Sequence, residues 1–128
     1  MTQTNMTKDE EQLAQENLRK KWKGRDVQFH IEDTIVLANK YILSLRSIVF
    51  KRQFYGFFRE SSSSNTMTSI IVEDAEPEVF RFFIKCFYED VDFSDKNIHF
   101  LADLYHLADK YQMEGLKVGR ALFKAVGL

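Results

Sequence analysis

The stretch EVFRFFIKCFY, residues 78–88, constrains the fold more than any other part of the chain. Read as a helix, it places Val79, Phe83 and Cys86 on one face and Phe80, Ile84 and Phe87 on a second. A helix apolar on nearly every side has to be sandwiched between other elements. Pro77 suits its first turn, and Glu76 and Glu78 meet its positive end.

The elements around it follow from changes of period. Residues 1–6 read as disordered, and Thr7 to Glu10 (TKDE) have the capping-box spacing that starts a helix. That helix runs to about Trp22, with a basic last turn and Gly24 placed to stop it. Its apolar stripe, Leu13, Ala14, Leu18 and Trp22, is narrow, so it packs peripherally or against another chain. DVQFHI (26–31) alternates Val27, Phe29 and Ile31 against Gln28 and His30; with TIVLAN (34–39) it reads as a β-hairpin.

From Lys40 the period becomes helical. Leu43, Ser47, Phe50 and Phe54, with Ile42, Leu45 and Val49 beside them, predict one or two short helices ending near Gly56. The run Ser61 to Ser64 is a loop, and TSIIVED (68–74) is a third strand. Ser94 is a candidate cap for a two-faced helix from Ile98 to Tyr111, and Gly115 separates this from a last helix, Leu116 to Val126. The fold class is α+β, a small three-stranded sheet capped by a bundle of about five to six helices.

A length of 128 residues is one domain's worth, and twelve phenylalanines against one proline imply tight packing, an apolar contact surface, or both. Net charge −1 and a pI near 6.3 provide no field to gather nucleic acid or an acidic membrane, so neither is an expected partner. The single cysteine, Cys86, excludes an internal disulfide framework and points to a reducing compartment, cytoplasm or nucleus. The N-terminus lacks the apolar core of a signal peptide, and no apolar run approaches the roughly 18 residues of a membrane span.

Chemistry-bearing motifs are sparse. His99, Asp103 and His106 share a helical face but lack the further Cys or His of a zinc site, and are expected to be solvated. Asp90, Asp92 and Ser94 begin like a calcium loop, yet Asp95 stands where glycine is needed and Leu101 where a bidentate glutamate is needed. No cofactor, metal or catalytic role is expected, because phosphate-loop, nucleophile-elbow and dinucleotide glycine patterns are all lacking. RKKWKGR (19–25) reads as a charge-complemented helix end. Asp26 and Lys40 flank the hairpin and are placed to pair across it, a bridge worth at most about 1 kcal/mol if exposed. At YGFFRESSSSNT (55–66), Phe57 or Phe58 can continue the face of Phe50 and Phe54, but adjacent helical positions differ by about 100°, so one of the two rings is at least partly exposed.

Four stretches carry a family resemblance: DVQFHI, then VLANKYILSLRSIVF (36–50), where the family has a pattern like F-x-A-H-K-x-x-L-x-x-x-S-x-x-F, then IIVEDAEPEVFRFFIKCFYED (70–90) and LADKYQMEGLK (107–117). On these the chain resembles a BTB/POZ domain over roughly residues 13–126, and the last two look like the BTB region of speckle-type POZ (MATH-BTB) proteins. Asn39 stands where the family usually has His, Ile48 where Pro is common, and Asp90 near a usual glycine.

The resemblance implies a BTB/POZ domain over 25–128, preceded by a dimerisation helix, 7–24, whose stripe of Leu13, Leu18 and Trp22 makes the homodimer. It implies a hydrophobic-x-Glu element at Phe58-Arg59-Glu60, with Phe58 entering a pocket on the N-terminal region of cullin-3 and Glu60 fixing the loop. Phe57 and Tyr88 border that cullin-binding surface, and Asp26 and Lys40 match a charged pocket of the family. The implied role is a non-enzymatic substrate adaptor of a ubiquitin ligase, with substrates recruited by modules outside these residues. A second expectation is a self-association scaffold, a transcriptional co-repressor or assembly module, that binds no cullin.

Overall fold

A computed structural model of the chain describes residues 7–10, 13, 24–56, 67–115 and 118–127. Residues 8–10 are helical, entered through the expected box: the Glu10 N–H donates to Thr7 Oγ1 at 3.1 Å, and the Thr7 N–H to Glu10 Oε1 at 3.0 Å. Leu18, Trp22, Phe57, Phe58, Glu60 and the serines at 61–64 lie outside the described residues.

Strands β1 (Val27–Ile31) and β2 (Thr34–Ala38) form the antiparallel hairpin, Val27 opposite Ala38 and Ile31 opposite Thr34. Its two-residue turn holds Glu32 at φ 54, the left-handed region uncommon outside glycine. β3 (Thr68–Ile71) adds to the other side of β1 in parallel, giving the order β2-β1-β3. Between β2 and β3 run α1 (Lys40–Arg46) and α2 (Ile48–Tyr55), the helical crossover that a parallel pair needs. Then come α3 (Pro77–Tyr88), α4 (Ile98–Lys110) and α5 (Val118–Ala125).

Alternation decides which face of β1 is dry: Val27, Phe29 and Ile31 are all 0% exposed, while Gln28 and His30 turn outward. On them lies α3, with Val79, Phe80, Phe83, Ile84, Cys86 and Phe87 buried, so the doubly apolar helix is enclosed as its pattern requires. Phe80 meets Phe29 of the sheet at 5.0 Å between ring centres, and Phe83 meets Tyr111 beyond α4 at 5.6 Å. Phe50 of α2 is the hub, 5.7 Å from Phe29, 5.9 Å from Phe87 and stacked 4.5 Å from Tyr111. Aromatic pairs at these spacings each add about 0.5–1.5 kcal/mol beyond their buried area. This is where the chain spends many of its phenylalanines.

Several expectations are corrected. β3 stops at Ile71 instead of Asp74, because β1 turns into the hairpin after Ile31 and offers no partner beyond His30 opposite Ile71. Ser94 does not cap α4. Its N–H and hydroxyl both meet the Asp92 carboxylate at 3.0 Å, closing a local turn, and Asn97 caps the helix instead, its Oδ1 accepting from the Phe100 N–H at 2.8 Å. α4 is one-faced: Leu101, Leu104, Leu107 and Ala108 are buried, while Ala102 and Tyr105 face solvent. Leu45, spaced like a core residue of α1, is 63% exposed.

Candidate protein-interaction site

Asp26, Lys40 and Tyr88 converge on the corner where α1 begins. Gly24 makes the turn into β1 at φ +69, and its carbonyl accepts from Asn39 Nδ2 at 2.6 Å. A Cβ there would lie 3.1 Å from that same amide, so both backbone conformation and space favour glycine. Asn39, the family's usual His position, is the N-cap of α1: its Oδ1 accepts from the Ile42 N–H at 2.9 Å. Its own N–H donates to the Tyr88 hydroxyl at 2.8 Å, which ties the start of α1 to the end of α3.

Asp26 completes the corner in an unexpected way. Its Oδ1 accepts from the backbone N–H of Lys40 at 2.8 Å, so the expected cross-hairpin bridge is replaced by a carboxylate satisfying a first-turn N–H of α1. The Lys40 ammonium instead stands 5.9 Å from the centre of the Phe54 ring, within cation–π reach. The Tyr88 phenol is half-buried and titrates above its usual value, chiefly through burial, and the nearby Asp26 charge acts in the same direction. Burial also raises Tyr55, the last residue of α2, and again Asp26 adds to it. The Lys40 ammonium over the Phe54 ring and the Asn39 N–H on the Tyr88 hydroxyl bring the ends of α2 and α3 to the start of α1. Leu13, from the expected dimer stripe, is 58% exposed.

Sequence reasoning missed the residues that brace this corner. Arg46 Nη1 donates to the Cys86 carbonyl at 2.9 Å and its Nε to the Glu114 carbonyl at 3.2 Å. Ser47, 1% exposed, caps α2 by accepting from the Phe50 N–H and donates its hydroxyl to the Tyr111 carbonyl. Arg46, the last residue of α1, gives no periodic signal, and Ser47, although in register with Leu43 and Phe50, gives none of its distant partner Tyr111. The only available sign was the cap-like serine three residues before Phe50. Also missed were Tyr41 and Leu45 on α1, one turn apart and both 63% exposed.

Elsewhere, Asp103 and His106 line a small cavity of about 210 Å³ with Asp74 and Glu76. Among the described residues no group of three or more His, Cys, Asp or Glu is placed to hold a metal. Asp74 accepts from Lys110 Nζ at 2.7 Å, and that hydrogen bond holds its carboxyl below the usual range. Among the described residues no helix is long and apolar enough to cross a membrane.

This corner can hold shape and present aromatic and charged surface; it aligns helix ends through caps and leaves apolar side chains on its helices in water. Fold and corner together define a small α+β protein-interaction module. The BTB/POZ domain model matches residues 15–120, and the chain belongs to that family. It is 33% identical over 101 residues to "BTB/POZ and MATH domain-containing protein 3" of Arabidopsis thaliana, covering 66% of this chain and 24% of that protein. It is 33% identical over 67 residues to "BTB/POZ and MATH domain-containing protein 5" of the same plant, covering 52% and 15%. The chain thus spans about a quarter or less of the length of these curated relatives. The solved BTB domain of zebrafish PATZ1 superposes with a TM-score of 0.57 over 98% of each chain at 18% identity, a likeness of fold. BTB domains are interaction modules, generally non-catalytic.

Proposed function

We propose that this BTB domain is a homodimeric substrate adaptor that binds the N-terminal region of cullin-3 in a ubiquitin ligase. Phe58 is the anchor, Glu60 fixes its loop, and Phe57 and Tyr88 border the contact. Leu13, Leu18 and Trp22 join the two copies, and substrates are recruited by modules outside these residues. The likeness to proteins named for both BTB/POZ and MATH domains supports the reading.

The observation that carries it is the shared corner. α2 ends at Tyr55, three residues before Phe58 in sequence, and the ends of α2 and α3 both meet the start of α1, through Lys40 over the Phe54 ring and Asn39 on the Tyr88 hydroxyl. In this reading the hydrophobic-x-Glu element that follows α2 in sequence and the end of α3 form the two parts of one docking surface. Burying one phenylalanine at a partner contributes roughly 1.5–3 kcal/mol, which makes Phe58 a hot spot.

Titration calorimetry of the chain against the cullin-3 N-terminal region tests this. Binding should occur, and Phe58→Ala should weaken it roughly 10- to 100-fold, with a smaller loss for Glu60→Ala. A silent wild type, or indifference to Phe58→Ala, would refute the cullin assignment and leave self-association as the role.

A further inference from the structure

We infer that the groove between the outer edge of β2 and α3 is a second docking site, one that takes an extended acidic peptide as an added strand. This rests on features separate from the cullin reading. A groove of about 480 Å³ is lined by Ile35, Val36 and Leu37 on one side and by Arg81, Ile84 and Lys85 of α3 on the other. Three consecutive strand residues alternate their side chains between faces, so what they share toward a groove is their main-chain edge.

Hydrogen bonding fixes which peptide groups point there. The His30 carbonyl of β1 accepts from the Val72 N–H beside β3, so the alternate residue Phe29 turns its groups to β2, opposite Val36. Val36 is therefore spent on β1, and the N–H and C=O groups of Ile35 and Leu37 face away from it, into the groove. Among the described residues β2 is an edge of the sheet, in the order β2-β1-β3. Unpaired edge groups are a template for another strand, and the site is built for main-chain recognition.

Charge selects the occupant. Arg25, Arg81 and Lys85 line the groove against one carboxylate, Glu89. The ion pairs among the described residues, Lys96 with Asp95 and Lys110 with Asp74, involve none of these three cations. In a strand added to β2, every second side chain points to the α3 side and its cations. The others lie on the outer face of the sheet beside Ile35, 54% exposed, and Ile71, 74% exposed, lies across that face on β3. The recognised pattern is thus acidic and apolar residues in alternation, over about the five residues of β2.

Fluorescence anisotropy of the 128-residue chain tests this with a labelled heptapeptide alternating Glu and Val. The comparison peptides are the same sequence N-methylated at alternate residues and a Lys–Val counterpart. The Glu–Val peptide should bind saturably, the Lys–Val peptide should not, and N-methylation, which removes ladder donors but keeps charge, should weaken binding at least about tenfold. Arg81→Glu with Lys85→Glu should cost as much. Both side chains are exposed on α3, and an unchanged melting curve confirms the fold. Absence of saturable binding, equal binding of the methylated peptide, indifference to the double variant, or equal displacement by an oligonucleotide of matched charge would each overturn the assignment.

Discussion

Cys86 shows how burial alone decides the chemistry of a side chain. Its thiol is 1% exposed within α3, and desolvation pushes its pKa up to about 12, against the opposing pull of Arg46 and Lys85. At pH 8 the thiolate is then a negligible fraction. Iodoacetamide should leave Cys86 unmodified in the native chain and label it fully in urea, as intact-mass spectrometry would report; rapid native labelling would contradict this placement. Asn39 teaches the complementary point. It departs from the family's usual His, yet it works as a cap, an anchor for the Gly24 turn and a donor to Tyr88. The sequence marked the position without disclosing those partners, because two of them, Gly24 and Tyr88, are 15 and 49 residues away.

Among elements, what was legible followed from period and what was not followed from distant partners. The alternation of Val27, Phe29 and Ile31 and the double stripe of α3 were readable because each pattern has one geometry that buries it. The end of β3 was not, since it depends on where β1 runs out. The cap of α4 was misplaced because Asp92 claims Ser94, and a hydroxyl cannot serve two turns. Asp26 and Lys40 meet through a main-chain contact where the pairing of charges suggested a bridge. The last residue of α1 carries the remaining surprise, Arg46, which joins α1 to the end of α3 and to the segment after α4. Arg46→Ala removes two hydrogen bonds from a charged group to carbonyls and should lower stability by about 2 kcal/mol, seen as a lower urea midpoint at unchanged slope. Arg46→Lys, which lacks the planar fork, should recover little of it.

For the whole molecule, the open question is how many copies act together. Leu13 is exposed where it is described, and α1 adds Tyr41 and Leu45 in water, more apolar surface than a lone charged globule needs. In the homodimer we propose, Leu18→Asp puts a charge into the two-fold contact. Light scattering should then fall from a dimer mass to the 15.1 kDa of one chain. A mass that stays unchanged by the substitution would remove the first helix from the interface.

The braces at Arg46 and Ser47 also govern the order of events during synthesis. Ser47 waits for Tyr111, 64 residues later, which at about 5–20 residues per second means roughly 3 to 13 seconds of translation. Throughout that interval the Phe50 ring lacks Tyr111, the nearer of the two rings stacked on it. A nascent chain in that condition leaves apolar surface uncovered, the condition that makes folding intermediates prone to aggregate, and a stop codon before Tyr111 would leave it so permanently.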